Sequence, residues 1–339
     1  MKKKINIFDI AKKSGYSTST VSRTISKPNL VSLRVRKKIL SIIKKTKYVH
    51  NSLAGSLKSG KSGFIIVIIP TLVGSVFNDY IRGINNILRK KGFQILIGVT
   101  DYNLDREEEI IQKFLSYKPE GIIIVGTKHN VFTSSLLLSS KLPIVETWNI
   151  TDKPLDTVVG FSNFSAGYQI TDYVINLKYK KIVFSTPILF FMKNENRSKR
   201  RLSGYVSRMK EANIKPIIFY YSDPLDHKKC GSEIYSQYKK YSAKIDCIIC
   251  GSEISGSGFL AELLYNKIIV PKSIGVAAVG NAEITSLIHP QLTTMDFKVY
   301  DIGRIAANNL IARINKEKVK KRIFDVGIEL IKGGSTIHQ

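Results

Sequence analysis

The chain holds 339 residues, enough for more than one domain and a sizeable core, and an apolar content of 43% excludes wholesale disorder. Fifty-three Lys and Arg against 26 Asp and Glu give a net charge of +27, unevenly spread. Residues 1–61 carry sixteen basic side chains and one acid, Asp9, whereas the other 278 residues carry only +12 between them, so the first segment is an electrostatic footprint for a polyanion. No apolar run approaches the ~20 residues that cross a bilayer, and the longest, Phe64 to Pro70, reads as a buried strand. Met1-Lys2-Lys3-Lys4 is not followed by an apolar stretch, so no secretory leader and no membrane partner are expected, and the location expected is cytoplasmic. Cys230, Cys247 and Cys250 fit a reducing compartment. Cys247 and Cys250 have redox-motif spacing but lie in an apolar strand-like run, which points to core packing. His50, His129, His227, His289 and His338 never pair at metal-ligand spacing, so neither a metal nor a cofactor is expected.

In chain order, Ile5 to Ser26 reads as two short helices around a tight turn. Asn6 caps the first, Asp9 completes a capping box and suits the helix dipole, and Gly15 supplies the stop. Ser17 caps a second helix running to about Ile25, and Pro28 forbids its continuation. On that helix Thr18, Ser19, Ser22 and Arg23 share one side, and Val21, Thr24 and Ile25 the other. Short hydrogen-bonding side chains let a backbone enter the major groove, and Arg23 has the reach to pair with guanine O6 and N7. A capped surface helix without such a role is the plainer alternative. A third helix, about Ser32 to Thr46, turns Val35, Ile39, Ile42 and Ile43 inward and exposes Arg34, Lys37, Lys38, Lys44 and Lys45, cations suited to phosphates.

Residues 48–62 are rich in Gly and Ser and read as a linker. From Phe64 onward, apolar strands alternate with amphipathic helices. Strands are expected at Phe64–Ile69, Gln94–Val99, Gly121–Gly126 and Pro143–Thr147, then at Lys181–Thr186, Pro216–Tyr221, Asp246–Gly251 and Ile274–Gly280. A helix over about Val299–Lys316 and a last strand region, Ile323–Ile331, close the series. Two successive doubly wound α/β units fit a two-lobed body of the periplasmic-binding-protein type, with a ligand cleft at the strand C-termini.

Asp9-Ile10-Ala11, Gly15, Ser17 and Thr20-Val21-Ser22-Arg23 resemble the N-terminal signature of LacI/GalR-family transcription regulators, and the likeness extends over residues 5–339. The body is most similar to gluconate-operon repressors of that family. The stretches that carry this include Pro143-Ile144-Val145-Glu146, Val159-Gly160-Phe161-Ser162-Asn163-Phe164, Arg201-Leu202-Ser203-Gly204-Tyr205, Pro290-Gln291-Leu292-Thr293-Thr294 and the Gly333-Gly334-Ser335 close. The resemblance implies an all-α helix-turn-helix headpiece over 1–47, a hinge over 48–62 and an effector-binding, dimerising body over 63–339. It places lobe 1 at about 63–159 and 292–322, and lobe 2 at about 160–291 and 323–339. It further implies a homodimer on palindromic double-stranded operator DNA, contacted by Ser17, Thr18, Ser19, Thr20, Ser22 and Arg23 and, from the hinge, by Asn51 and Leu57. In relatives the hinge forms a short helix on the operator, and a leucine matching Leu57 wedges into the minor groove. Here His50 replaces the usual proline and Gly55 sits mid-hinge, at a cost of ~1 kcal/mol against alanine, so this hinge is expected to be less pre-ordered.

For the effector, the resemblance implies Phe77, Glu146, Arg201, Ser252, Glu253 and Asn281. Arg201 matches the family's ligand-clamping arginine, and a guanidinium fork suits a carboxylate; otherwise it is one cation in a solvated basic face. Glu146 is either an acceptor for sugar hydroxyls or a solvated loop acid. Phe77 and Trp148 either stack on a ligand or fill the cleft wall. Ser252-Glu253 matches a pair usually carrying Asp second, and Asn281 matches a position often acidic. The expected effector is gluconate or a related sugar acid acting as inducer. The alternatives are another sugar, a protein co-effector, or a sugar-binding protein without operator function. No catalytic constellation or phosphate-cradling glycine motif is readable, so no enzyme activity is expected. Residues 332–339 hold no leucine heptad, so no tetramerisation coil is expected.

Overall fold

A computed structural model describes residues 5–49, 62–73, 76–188, 196–241, 245–319 and 321–336. The chain divides into two units, residues 1–62 and 63–339. Asn51, Leu57 and most of the proposed hinge lie outside the described residues.

In the first unit, α1 (Ile7–Ser14) starts as its sequence dictates: Asp9 N donates to Asn6 Oδ1 at 3.1 Å and Asn6 N to Asp9 Oδ2 at 2.9 Å. Gly15 ends it at φ 74°, a left-handed turn that glycine adopts without strain. Ser17 Oγ accepts from Thr20 N at 3.2 Å and so caps α2 (Thr18–Ser26). A 3₁₀ turn, Pro28–Leu30, leads to α3 (Leu33–Thr46). Ile10, Val21 and Ile39 meet fully buried at the centre, with Val35, Ile42 and Ile43 packed around them.

The second unit is α/β throughout. In chain order it contains β1 (Phe64–Ile69), α4 (Val76–Lys90), β2 (Gln94–Val99), α5 (Leu104–Leu115), β3 (Gly121–Val125), α6 (Val131–Ser139), β4 (Ile144–Thr147) and β5 (Thr157–Gly160). There follow α7 (Asn163–Asn176), β6 (Ile182–Pro187), α8 (Asn196–Glu211), β7 (Ile217–Tyr221), α9 (His227–Tyr241), β8 (Cys247–Cys250), α10 (Glu253–Tyr265) and β9 (Gly275–Val279). The series ends with α11 (Glu283–Leu287), β10 (Thr293–Asp296), α12 (Val299–Ile314), β11 (Ile323–Asp325) and β12 (Glu329–Ile331). Among the described residues these strands form two six-stranded sheets, ordered β11-β5-β4-β3-β1-β2 and β12-β10-β9-β8-β6-β7. The first is parallel throughout, and in the second β12 alone runs antiparallel to its neighbour. Strands such as Ile65–Ile69 and Ile122–Ile124 are buried on both faces, which is why they read as unbroken apolar runs.

Two expectations about the lobes are corrected. The Thr293–Asp296 strand belongs to the second lobe, not the first, because it pairs with β9 and its Thr293 N donates to Ser335 Oγ at 2.8 Å. Conversely, Ile323–Asp325 joins the first sheet beside β5, and only Glu329–Ile331 returns to the second. The chain therefore crosses between lobes near Phe161, Phe297 and residues 326–328. Phe161 and Phe297 stack at 4.2 Å between centroids where two of these crossings meet.

Cys247 and Cys250 are buried on β8, and burial pushes the Cys250 thiol up to about 12 and that of Cys247 well above its ordinary value. They are core residues, as their strand setting predicts. No helix among the described residues is long and apolar enough to cross a membrane.

Candidate functional site

Helix α2 divides as its periodicity predicts. Val21 and Thr24 are buried and Ile25 half-buried, while Ser19 and Arg23 are exposed and Thr18, Thr20 and Ser22 half-buried. Ser17, Ser19 and Thr20 form a hydroxyl cluster at the helix N-terminus, with Ser17 Oγ 2.8 Å from Ser19 Oγ and 2.9 Å from Thr20 Oγ1. The Thr24 hydroxyl is spent on Thr20 O at 2.8 Å and faces inward. The exposed surface thus carries small hydroxyls and one arginine.

In the body, both sheets end their parallel strands at one cleft lined from both lobes. Phe77 and Val76 reach it from the start of α4, Tyr102 from beyond β2 and Trp148 from beyond β4; Pro187, Tyr221, Ser252 and Glu253 reach it from the second lobe. Both sheets run 2-1-3-4-5, and ligands of such folds sit outside the carboxyl ends of the strands. Phe77 and Trp148 pack at 4.8 Å between centroids. Trp148 adopts φ 76°, a strained conformation for a bulky residue, and its indole Nε1 is buried without a hydrogen-bond partner among the described residues.

Arg201 is buried in this wall. Its Nε donates to Asn163 Oδ1 at 2.8 Å, its Nη1 to Gly251 O at 2.9 Å, and its guanidinium lies 5.0 Å from the Phe297 ring centroid. Asn163 in turn donates through Nδ2 to Trp148 O at 3.1 Å and to Asn149 Oδ1 at 2.7 Å, tying Arg201 to the first lobe. The close approach of α7 and α8 depends on Gly167 and Gly204, where a Cβ would strike the opposing backbone at Arg201 and Phe164. Arg197, one turn earlier on α8, reaches across to the Tyr102 and Trp148 rings at 5.6 and 5.9 Å. Glu253 is buried opposite, and burial lifts its carboxyl above the ordinary range against a hydrogen bond from its own backbone and the pull of Arg201 and Arg197.

Of the residues singled out in the sequence, Phe77, Trp148, Arg201, Ser252 and Glu253 meet at this cavity, and two do not. Glu146 is neither a solvated loop acid nor part of the cavity lining. It lies on β4 with 2% exposure, accepting from Leu155 N at 2.6 Å and facing His129, because the strand extends past it to Thr147. Asn281 lies outside the lining and accepts from Thr285 Oγ1 at 2.9 Å. Sequence reasoning missed Tyr102, Arg197, Tyr221 and Phe297. Their common signal, a polar or aromatic residue at or just beyond a strand C-terminus or in the first turn of the next helix, was present but weak. No group of three His, Cys, Asp or Glu side chains among the described residues is arranged to hold a metal ion.

Comparison with known proteins matches both units. The family described as "Bacterial regulatory proteins, lacI family" matches residues 6–51, and "Periplasmic binding protein-like domain" matches 171–336. The chain is similar to the HTH-type transcriptional regulator IdnR of Escherichia coli (strain K12), 27% identical over 333 residues and 98% of each chain. It is also 27% identical to GntR of the same strain over 336 residues, 99% of this chain and 100% of that one. A LacI-family regulator from Silicibacter pomeroyi superposes with a TM-score of 0.89 at 28% identity, covering 98% of this chain and 99% of that one. The lac repressor dimer bound to operator and the anti-inducer ONPF shares the fold, with a TM-score of 0.81 at 17% identity over 99% of this chain and 100% of that one.

Proposed function

This chain belongs to the lacI family of bacterial transcriptional regulators, and from that premise we propose that it is a cytoplasmic, homodimeric repressor released from a palindromic operator by a sugar acid of the gluconate type. A headpiece with one recognition helix reads one half-site, so two-fold symmetry of the protein matches a palindrome. Ser17, Thr18, Ser19, Thr20, Ser22 and Arg23 face the operator in this reading, and Asn51 and Leu57 contribute from the hinge.

The observation that carries the effector assignment is the charge of the cavity. Two guanidiniums, Arg197 and Arg201, line it against one carboxyl, Glu253, whose burial opposes its ionisation. A ligand carboxylate pairs with Arg201 as a charge-assisted hydrogen-bond partner, and the polyol end finds donors and acceptors at Ser252 and the Trp148 indole. An inducer acts only through unequal affinity for two forms of the body. A coupling of ~1–3 kcal/mol loosens operator binding by about 5- to 150-fold.

The test is operator release by gluconate and by glucose, in wild type and Arg201→Ala. Gluconate is expected to release wild type and not the variant, and glucose to release wild type less than gluconate does. Release by glucose as strong as by gluconate, or a normal gluconate response in Arg201→Ala, sinks the sugar-acid assignment. The aromatic walls formed by Phe77, Trp148 and Phe297 favour a second reading, a cyclic sugar acid whose ring face stacks on them. Glucuronate in the same assay separates the two.

A further inference from the structure

Beside the Arg201 cavity, the first lobe buries a second charged group. His129, in the loop between β3 and α6, has its Nδ1 2.7 Å from Glu107 Oε1 and its Nε2 3.7 Å from Glu146 Oε1, with side-chain exposures of 2% for His129, 6% for Glu107 and 2% for Glu146. A neutral imidazole donates from one nitrogen only, yet both nitrogens here face carboxylates. Burial alone would push the ring's pKa down, but the Glu107 hydrogen bond and the charges of Glu107 and of Glu146, which lies beyond hydrogen-bond reach of Nε2, outweigh it and lift it to about 9. These two, from α5 and β4, are the charged groups that act on the ring; its own loop adds the neighbouring cation Lys128.

Glu146 and the loop that carries His129 are both tied down. Glu146 Oε2 accepts from Leu155 N at 2.6 Å. Asn130, next to His129, donates to Glu108 Oε2 at 2.8 Å and caps α6 by accepting from Thr133 N at 2.6 Å. Gly126 N donates to Thr147 O at 2.9 Å, joining the loop's other end to β4. The loop so held is a cavity wall. Gly126, Thr127 and Lys128, with Thr100, Asn149 and Glu107 itself, line a polar arm that shares Tyr102 and Arg197 with the Arg201 cavity.

We propose that Glu107, His129 and Glu146 form a positioning device for effector recognition: the imidazolium holds the 126–130 loop against α5 and β4, and so shapes the polar arm for the hydroxyl-bearing end of the ligand. The proposal rests on the cleft being the effector site. Its physical core is charge, not shape. Without the cation, two buried carboxylates are left around the space it filled, and removing one member of a buried ionic set is strongly disruptive because the remaining charge is left uncompensated. The loop then moves, and the arm loses its form.

The test compares full-length wild type, His129→Gln and the double variant His129→Gln/Glu146→Gln. Ring titration by NMR, gluconate affinity by calorimetry and amide exchange over residues 126–130 are read at pH 7.5, with thermal melting as a control for folding. The wild-type ring is expected to be doubly protonated. His129→Gln is expected to lose about tenfold in affinity and to expose the loop amides to exchange. The double variant is expected to recover most of both, because it removes the surplus charge without restoring the ring. A neutral ring, unchanged loop exchange in His129→Gln, or no recovery in the double variant overturns the device. If gluconate does not bind wild type, the effector reading fails separately, and ring titration and loop exchange still decide whether the triad holds the loop.

Discussion

The headpiece and the body hold themselves together on different scales. The headpiece closes over three fully buried apolar side chains, Ile10, Val21 and Ile39, and its helices of 8, 9 and 14 residues are too short to persist alone. Each cap therefore carries a large share of its stability. The body buries whole strands, and its polar network around Arg201 and His129 links segments far apart in sequence. A reader of DNA built on a small core is easily unfolded by itself, whereas a sensor built between two sheets fails first by losing the placement of its charged groups. The sharpest way to break this comparison is Ile10→Ala. Truncating a buried isoleucine costs ~2–5 kcal/mol, a large part of what so small a unit has. Operator binding is expected to vanish while calorimetry still shows the body's transition and its response to gluconate unchanged. A lowered body transition would show that the two units are coupled.

The second prediction concerns pH and belongs to the body alone, since residues 5–49 contain no histidine. His129 is raised to about 9, above the ordinary value of 6.5 that it regains on unfolding. Its contribution is therefore fully present below about pH 6.5 and is lost as pH rises through about 9, at a cost of up to ~3 kcal/mol. The body's melting temperature is expected to fall between pH 7 and 9.5, and to fall less in the double variant His129→Gln/Glu146→Gln. Equal slopes in both would remove His129 as the cause.

On the operator side, Arg23→Ala is expected to cost ~1–3 kcal/mol on specific DNA and to relax preference at one base pair in each half-site. Binding to random DNA should change little, because phosphate contacts dominate there. Equal losses on both substrates would make Arg23 a phosphate contact rather than a base reader.

How much of this was legible follows from the same contrast. Asn6, Asp9, Gly15 and Ser17 act within four residues of themselves, so caps, turn and helix faces can be read directly from the chain. The alternating strands and helices were legible because parallel strands buried on both faces must be continuously apolar. Sheet membership was not: β10 and β11 are four and three residues long, and only their partners β9 and β5 decide which lobe they join. Glu146 shows the limit most clearly. Its role depends on His129, seventeen positions earlier, and on the exact end of β4, which buries Glu146 and brings Trp148, two positions on, to the cavity. Arg197 and Tyr102 are similar, since nothing local predicts that a cation on one lobe will lie over a ring on the other.

The smallest expected effect separates two roles within one side chain. Ser17 caps α2 through Thr20 N and also joins its hydroxyl to those of Ser19 and Thr20 at the end proposed to enter the groove. Ser17→Ala removes the cap, costing ~1 kcal/mol, and the loss falls on the headpiece transition because the body makes no use of it. Ser17→Asp restores the cap, and its negative charge suits the helix N-terminus, so the headpiece melting temperature is expected to return to the wild-type value or above. Operator affinity should not return. The new carboxylate faces phosphates in a segment where sixteen cations otherwise attract them, and the deficit should persist across operator variants and shrink with added salt. If Ser17→Asp recovers both stability and operator affinity, Ser17 is a cap alone, and the DNA-facing surface of α2 begins at Thr18.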